Sequence, residues 1–399
     1  MSRSVTLATD DSEVPMPSPT PGRLVESVAP ASSIQYNNRV YEMTSQGRDV
    51  ITLSLGEAFF DVPTPYFDNL PAGRIHHYSH SRGLPLLREK LATYYKVECQ
   101  TPVDPETELV VTAGSKAAIY LALLALIDPG DEVLILEPSW VSYVEQVRLC
   151  RGVPVQVPWY ESAGDLERYV TPRTRLVIVN NPNNPSGHVL GRDELGALYE
   201  VAERHGLQVL ADEAYNEFVV GDDRFLSCGT FDPHKTRTVI CNSMSKNYGM
   251  SGWRIGYAIA HPDIVNSILT LNQHIVTCAP TILSYYLAEN FDGILDMTRP
   301  QIRDVVTLRN GIADELTARG IGTMPGSSTF YLFVSLGASR LDSDAFASRL
   351  LEERQVSVVP GAGYGPSCER FVRVAVGSEP EHRVRAGVSA VCDWIEETS

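Results

Sequence analysis

The sequence predicts an α/β protein: a mostly parallel central sheet in a large domain, joined to a smaller α+β domain built from both chain ends. Three observations lead there. Between residues 109 and 243, short apolar runs rich in β-branched residues alternate with helical segments, the pattern of βαβ units and a parallel sheet. Beyond Ile282 the succession becomes helix, strand, helix, two strands and helix, which suits a satellite α+β layer. A chain of 399 residues also exceeds what one ordinary core covers. The expected division is a flexible N-terminal arm over residues 1–22, a small domain from 23–60 and 290–399, and a large domain over 61–289.

In order along the chain, MSRSVTLATDDSEVPMPSPT is rich in Ser, Pro and acidic residues and has no apolar core, so it reads as an arm rather than a signal peptide. Gly22 to Gly47 reads as a polar helix, followed by the apolar run ITLSLG, which could join the second region. Pro and Gly between Asp61 and Gly83 mark loops. Then come a helix over Arg88 to Val97, strand ELVVTAG, buried helix SKAAIYLALLALI, strand DEVLILEP, helix SYVEQVRLC, strand RLVIVNN, helix ELGALYEVAERHG, and strands QVLADE and TVICNS. The second region shows helical periodicity from Pro300 to Arg319, strand STFYLFVSL, a helix over Asp342 to Arg354, strands VSVVP and FVRVAV, and a last helix from Arg383 to Glu397.

Composition narrows the partners. A formal charge of −16 with no Lys/Arg cluster argues against nucleic acid or an anionic membrane surface. The longest apolar run, Ile119 to Ile127, is far short of a membrane span. Seven scattered cysteines with no CxxC pair suit a reducing, cytoplasmic location without a zinc ribbon or a disulfide framework. His76, His77 and His80 in HHYSH lack Cys, Asp or Glu companions at ligand spacing, so no metal is expected. GAGYG at Gly361 to Gly365 lacks dinucleotide-loop spacing and reads as a turn.

Out-of-place polar residues gather where strands end. In a parallel sheet the carboxyl ends of the strands are where ligands bind, because loops and helix N-termini converge there. ELVVT runs into Ala113, Gly114 and Ser115; LVIVN into NNPNNPSG; QVLA into Asp212; VICN into Ser243, Ser245 and Lys246. Each has an ordinary alternative: TAGSK as a helix start, NNPNNPSG as a turn, Asp212 as a helix cap, Lys246 as a solvated surface lysine. Taken together they describe a ligand with a phosphate and an aldehyde. Free N–H groups at a helix start, two serines and Arg254 would hold the phosphate, while a desolvated Lys246 would attack the aldehyde. Asp212 would pair with a ring nitrogen. Pyridoxal 5'-phosphate has this form.

The motifs TAGSKAAI, EPSWVSY, NNPNNPSG, ADEAY, SMSKNYGMSGWRIG and FVRVAV, in this order along the chain and at this spacing, resemble those of the class I/II aminotransferases, the aspartate aminotransferase-like fold type I enzymes. The likeness runs from about Arg23 to the last helix. It implies a pyridoxal-phosphate enzyme moving an amino group between an α-amino acid and a 2-oxo acid, through an aldimine on Lys246. It further implies that Asp212 keeps the ring nitrogen protonated, that Asn184 and Tyr215 hydrogen-bond the ring oxygen, and that Trp140 stacks on the ring. Gly114, Ser115, Lys116, Ser243, Ser245 and Arg254 would seat the phosphate. Arg373 would clamp the substrate carboxylate, with Gly56 making room beside it. Tyr78 resembles the tyrosine lent to the neighbouring subunit's phosphate, which implies a homodimer.

This chain reads GEAFF where the family often has Gly-Glu-Pro-Asp-Phe, altering the mouth of the site. Phe59, Phe60 and Tyr331 are either a pocket wall or ordinary core, and no second arginine for a distal carboxylate is identifiable. The same constellation also serves side-chain elimination or replacement and oxygen-dependent oxidation of amino acids. A transcription regulator with such a domain would need a DNA-binding domain, for which the short acidic arm is unsuited.

Overall fold

The computed structural model describes residues 21–63, 67–221 and 224–399, so residues 1–20 of the expected arm lie outside the described residues. The first helical stretch is two helices, α1 (Arg23–Glu26) and α2 (Ser32–Ser45), where the pattern predicts one. Pro30 divides them, since it has no N–H to donate and disfavours helical geometry at Ala29. Strand β1 (Ile51–Thr52) follows, and then α3 (Pro85–Glu98), with proline at its first turn.

The central sheet is made by β2 (Leu109–Thr112), β3 (Glu132–Leu136), β4 (Val153–Val157), β5 (Thr174–Asn180), β6 (Gln208–Asp212), β7 (Thr238–Ser243) and β8 (Gly256–Ile259). The helices among and after these strands are α4 (Ser115–Leu126), α5 (Ser142–Leu149), α6 (Arg192–His205), the single turn α7 (Met244–Asn247) and α8 (Pro262–Ile275). The strand order is β2-β8-β7-β6-β5-β3-β4, and β8 alone runs antiparallel to its neighbours. Because β8 reverses against both β2 and β7, those two point the same way. The carboxyl ends of β2, β5, β6 and β7 therefore share one rim.

Two of the seven strands, β4 and β8, are not among those read from the pattern. VPVQV carries a proline and sits on the sheet edge, where a missing donor is tolerated. GYAI is four residues long with two small side chains, too brief for a periodic signal.

Strand alternation explains the layers. Leu109, Val111, Leu134, Val177, Val179, Val209 and Ile240 face one side, against α3, α6 and the first half of α9 (Thr281–Ala318). Val110, Val133, Ile135, Leu176, Ile178, Leu210 and Val239 face the other, against α4, α5 and α8. Burial on both faces is why these strands read as continuous apolar runs. Helix α9 starts well before the predicted Pro300 and continues through it. Its length is held from both ends: Tyr286, Leu287, Phe291 and Leu295 pack in the first core, and Ile302, Val306, Ile312 and Leu316 in a second.

That second core is closed by β9 (Tyr331–Ser335), α10 (Ser343–Arg354), β10 (Val356–Ser357), β12 (Phe371–Ala375) and α11 (Glu381–Glu397), while Val359 of β11 (Val359–Pro360) packs in a small separate cluster with Phe333 and Tyr364. Asp342 caps α10 by accepting from Ala345 N–H at 2.7 Å. Strands β11, β12 and β9 form an antiparallel sheet, and β1 pairs in parallel with β10, Ile51 opposite Val356 and Thr52 opposite Ser357. Among the described residues no helix is long and apolar enough to cross a membrane.

Candidate active site

A cavity of about 500 Å³ opens at the shared carboxyl rim, between the central sheet and the second core. Asp212, the last residue of β6, is buried at its base. One carboxylate oxygen accepts from the Tyr143 hydroxyl at 2.7 Å and the other from Ala214 N–H at 3.2 Å. Burial pushes its pKa up to about 6, opposed by those two hydrogen bonds and by the charge of Lys246. Glu213, next in sequence, turns to the opposite face. It accepts there from Ser227 Oγ at 2.9 Å and from Cys228 N–H at 2.8 Å.

Lys246 lies on the short turn α7 directly after β7, and its amine donates to the Gly56 carbonyl. Burial is the largest influence on it and brings its pKa down to about 8. Glu57 and Asp212 pull the other way, while the Arg373 and Arg254 charges add to the depression. A lysine and a buried acid thus face one space, the amine brought toward neutrality and the acid short of a full countercharge.

At one end of the cavity stands an anion seat. Ser115 and Lys116 open α4, whose first turn has N–H groups free of internal acceptors. Gly114 precedes them at φ 86°, and a Cβ there would come within 2.2 Å of Arg254 Nη2, so only glycine lets the guanidinium approach. Arg254 donates to the Ser251 carbonyl at 2.7 Å and to Ser245 Oγ at 3.5 Å. Ser243 also accepts from Ser245 N–H at 3.3 Å as the cap of α7. The Lys116 amine lies 4.9 Å above the Trp140 ring. Desolvation and the charge of Arg254 lower its pKa.

At the other end is Arg373 of β12, buried, with Nη2 donating to the Ser54 carbonyl at 2.7 Å and Nη1 to Asn184 Oδ1 at 3.3 Å. Its Nε is a buried donor without a hydrogen-bond partner. Two neutral acceptors do not neutralise a guanidinium, so a carboxylate fits here. A Cβ at Gly56 would lie 3.8 and 3.9 Å from the two terminal nitrogens of Arg373, crowding any such guest. Asn184 Nδ2 donates to the Tyr215 hydroxyl at 3.5 Å.

The structure therefore brings together Gly56, Ser115, Lys116, Trp140, Asn184, Asp212, Tyr215, Ser243, Ser245, Lys246, Arg254 and Arg373 around one cavity, with Gly114 immediately behind it. Tyr78 is not among them; it is 84% exposed on the surface. Of the three aromatics left open, Tyr331 lines the cavity, Phe60 packs toward Phe218, and Phe59 is exposed. Sequence reasoning passed over Tyr143, although it lies one helical turn beyond Trp140 in EPSWVSY. It also passed over Glu57 and over Ser33, Ile34 and Asn37 of α2, which wall the mouth. Nothing local marks those α2 residues, because only folding carries that helix across the site.

A buried lysine amine, a buried acid, free helix-start N–H groups beside Arg254 and an arginine met only by neutral acceptors line one cavity on this α/β sheet, a set that pyridoxal phosphate and an amino acid would fit. Residues 48–390 match the family model for class I and II aminotransferases. The chain belongs to that family and is an aminotransferase, using pyridoxal 5'-phosphate as its cofactor. It is 35% identical over 358 residues to an aspartate aminotransferase of Geobacillus stearothermophilus, covering 86% of this chain and 91% of that one. Against aromatic-amino-acid aminotransferase 2 of Thermococcus litoralis the identity is 32%, with the same coverage. The solved aspartate aminotransferase of Thermus thermophilus with maleate superposes with a TM-score of 0.85 at 30% identity, over 94% of this chain and all of that one.

Proposed function

We propose that Lys246 is both the attachment point of the cofactor and the base that moves the substrate proton. Asp212 would hold the ring nitrogen, and Asn184 and Tyr215 the ring oxygen. Trp140 would lie on the ring face, and Arg373 would bind the substrate α-carboxylate. The paired shifts carry this reading: the Lys246 amine down to about 8 and the Asp212 acid up to about 6 on one cavity. When bound, the cofactor supplies an electron-accepting ring that stabilises charge on the substrate α-carbon.

The residues divide the remaining work. Asp212, ionised at neutral pH and dry, favours a protonated nitrogen opposite it. Arg373 would orient the amino acid through two parallel N–H donors, so that Lys246 Nζ could take the proton from Cα and deliver it to C4′ of a bound cofactor, the reverse transfer serving the second half-reaction. The 2-oxo acid would enter through the same clamp in the second half-reaction. The names of the relatives make aspartate and aromatic amino acids the first donors to test.

The two cores support a large unit and a small unit built from both chain ends, with the changeover along α9 lying between Leu295 and Ile302, somewhat beyond the expected 289/290 boundary. Seven free cysteines support a cytoplasmic setting. Tyr78, exposed and outside its own cavity, supports a homodimer in which it reaches the neighbouring phosphate seat.

Borohydride reduction of the cofactor-loaded enzyme, followed by peptide mass mapping, tests the lysine: the added mass belongs on Lys246, and finding it on Lys116 would refute the assignment. Mixing Lys246→Ala with Tyr78→Phe copies tests the shared site. Mixed dimers should recover activity that neither parent has, and no recovery after subunit exchange would leave Tyr78 without its role.

A further inference from the structure

We infer that Tyr331 is a positioning residue with two separable tasks: its ring steadies the carboxylate clamp, and its hydroxyl sets the donor strength of Tyr215. The inference rests on the roles of Arg373 and Tyr215 proposed above. Tyr331 opens β9 opposite Ala375 of β12, and Arg373 lies two residues before Ala375 on the same face. That register puts the Tyr331 ring against the guanidinium, with the Arg373 Cζ 4.5 Å from the ring centroid. A second ring, Tyr364, lies 5.6 Å from the same carbon. The Tyr331 side chain is fully buried, and its main chain is pinned as well: Arg309 Nε donates to its carbonyl at 2.9 Å.

The hydroxyl points elsewhere. It lies 3.0 Å from the Tyr215 hydroxyl, and a Cβ at Gly56 would be 3.3 Å from it. The contacts close a ring of four residues, Arg373 to Asn184, Asn184 to Tyr215, Tyr215 to Tyr331, and Tyr331 back to Arg373. Two phenols sharing one hydrogen bond have one proton left over. When Tyr331 donates to Tyr215, the Tyr215 proton is free to point into the cavity, and cooperativity makes it a stronger donor. Burial keeps both phenols protonated, their pKa values raised. A stronger donor favours the ionised form of whatever oxygen it meets.

Two substitutions separate the tasks. Tyr331→Phe keeps the ring and removes the hydroxyl. In the cofactor-loaded protein the visible-absorbance pH titration should then move up by about half a unit or more, while the affinity for the unreactive dicarboxylate maleate, followed by the same absorbance, stays within about twofold. Tyr331→Leu removes both parts and should in addition weaken maleate about 5–30-fold, the range of a lost cation–π contact.

An unchanged titration in Tyr331→Phe overturns the hydroxyl task, and unchanged maleate affinity in a folded Tyr331→Leu overturns the ring task. If Tyr331→Leu does not fold, Tyr331→His, which keeps a planar ring, replaces it and should weaken maleate less than about fivefold; a larger loss would refute the stacking. Should the unsubstituted protein show no titrating absorbance at all, the failure lies with the Lys246 assignment and not with Tyr331.

Discussion

Asp212 makes the cofactor-free protein less stable than it could be, and removing its charge exposes this. Its pKa of about 6 against an ordinary 3.8 is a difference of roughly 2.2 units, which at about 1.4 kcal/mol per unit gives about 3 kcal/mol. The folded pKa is the higher one. The protonated acid is therefore the form that folding favours, and stability is lost as pH rises from the unfolded pKa through about 6. By pH 7.5 nearly all of the ~3 kcal/mol is gone, whereas at pH 4.5 only about 1 kcal/mol is.

Asp212→Asn removes this term. It keeps one of the two hydrogen bonds, to Tyr143 or to Ala214 N–H, and forfeits the other at about 1 kcal/mol. The cofactor-free variant should thus exceed wild type by about 2 kcal/mol at pH 7.5 and match it near pH 4.5. Urea unfolding of both proteins, stripped of cofactor, at the two pH values reads this directly. Transamination by the loaded variant should meanwhile fall at least ~100-fold, because a buried cation loses its partner. A variant no more stable than wild type at pH 7.5, or equally stabilised at both pH values, would refute the account of Asp212 as a charge whose desolvation outweighs its hydrogen bonds and the nearby Lys246.

Three further outcomes are expected. Arg373→Ala should raise the KM for amino acids by ~100-fold or more, through loss of a two-bond charge-assisted clamp, and should change the cofactor dissociation constant less than about threefold; equal effects on both would mean a structural role. Gly114→Ala, forced to φ 86° and into Arg254, should weaken binding of the cofactor about tenfold in equilibrium dialysis, with no change in the carboxylate clamp. Loading of cofactor-free protein with pyridoxal phosphate should accelerate as pH rises through about 8, where the Lys246 amine loses its proton. An inflection near the ordinary lysine value would contradict its burial.

The polar strand ends that meet at the cavity were legible because a parallel sheet buried on both faces leaves its carboxyl rim as the place where polar residues stand out. SMSK, NNPNNPSG, ADEAY and TAGSK each interrupt an apolar strand or precede an apolar helix. Strand β4, with its proline at a sheet edge, and the four-residue β8 gave no comparable contrast. The unbroken course of α9 through Pro300 was equally hidden, since a proline ends a helix unless packing at both ends holds it, and those packing partners are distant in sequence.

Residue type and spacing alone determined that this chain would present an amine, an acid, an anion seat and an arginine on an α/β scaffold. They did so because strand-end chemistry is local: each group is set by a few neighbours and by the direction of one strand. That Tyr143 braces Asp212, how Tyr331 spans Arg373 and Tyr215, and that α2 closes the mouth with Ser33 and Asn37 were decided only by the tertiary structure. Those features depend on side-chain facing and on contacts between segments up to hundreds of residues apart, and no local pattern encodes them.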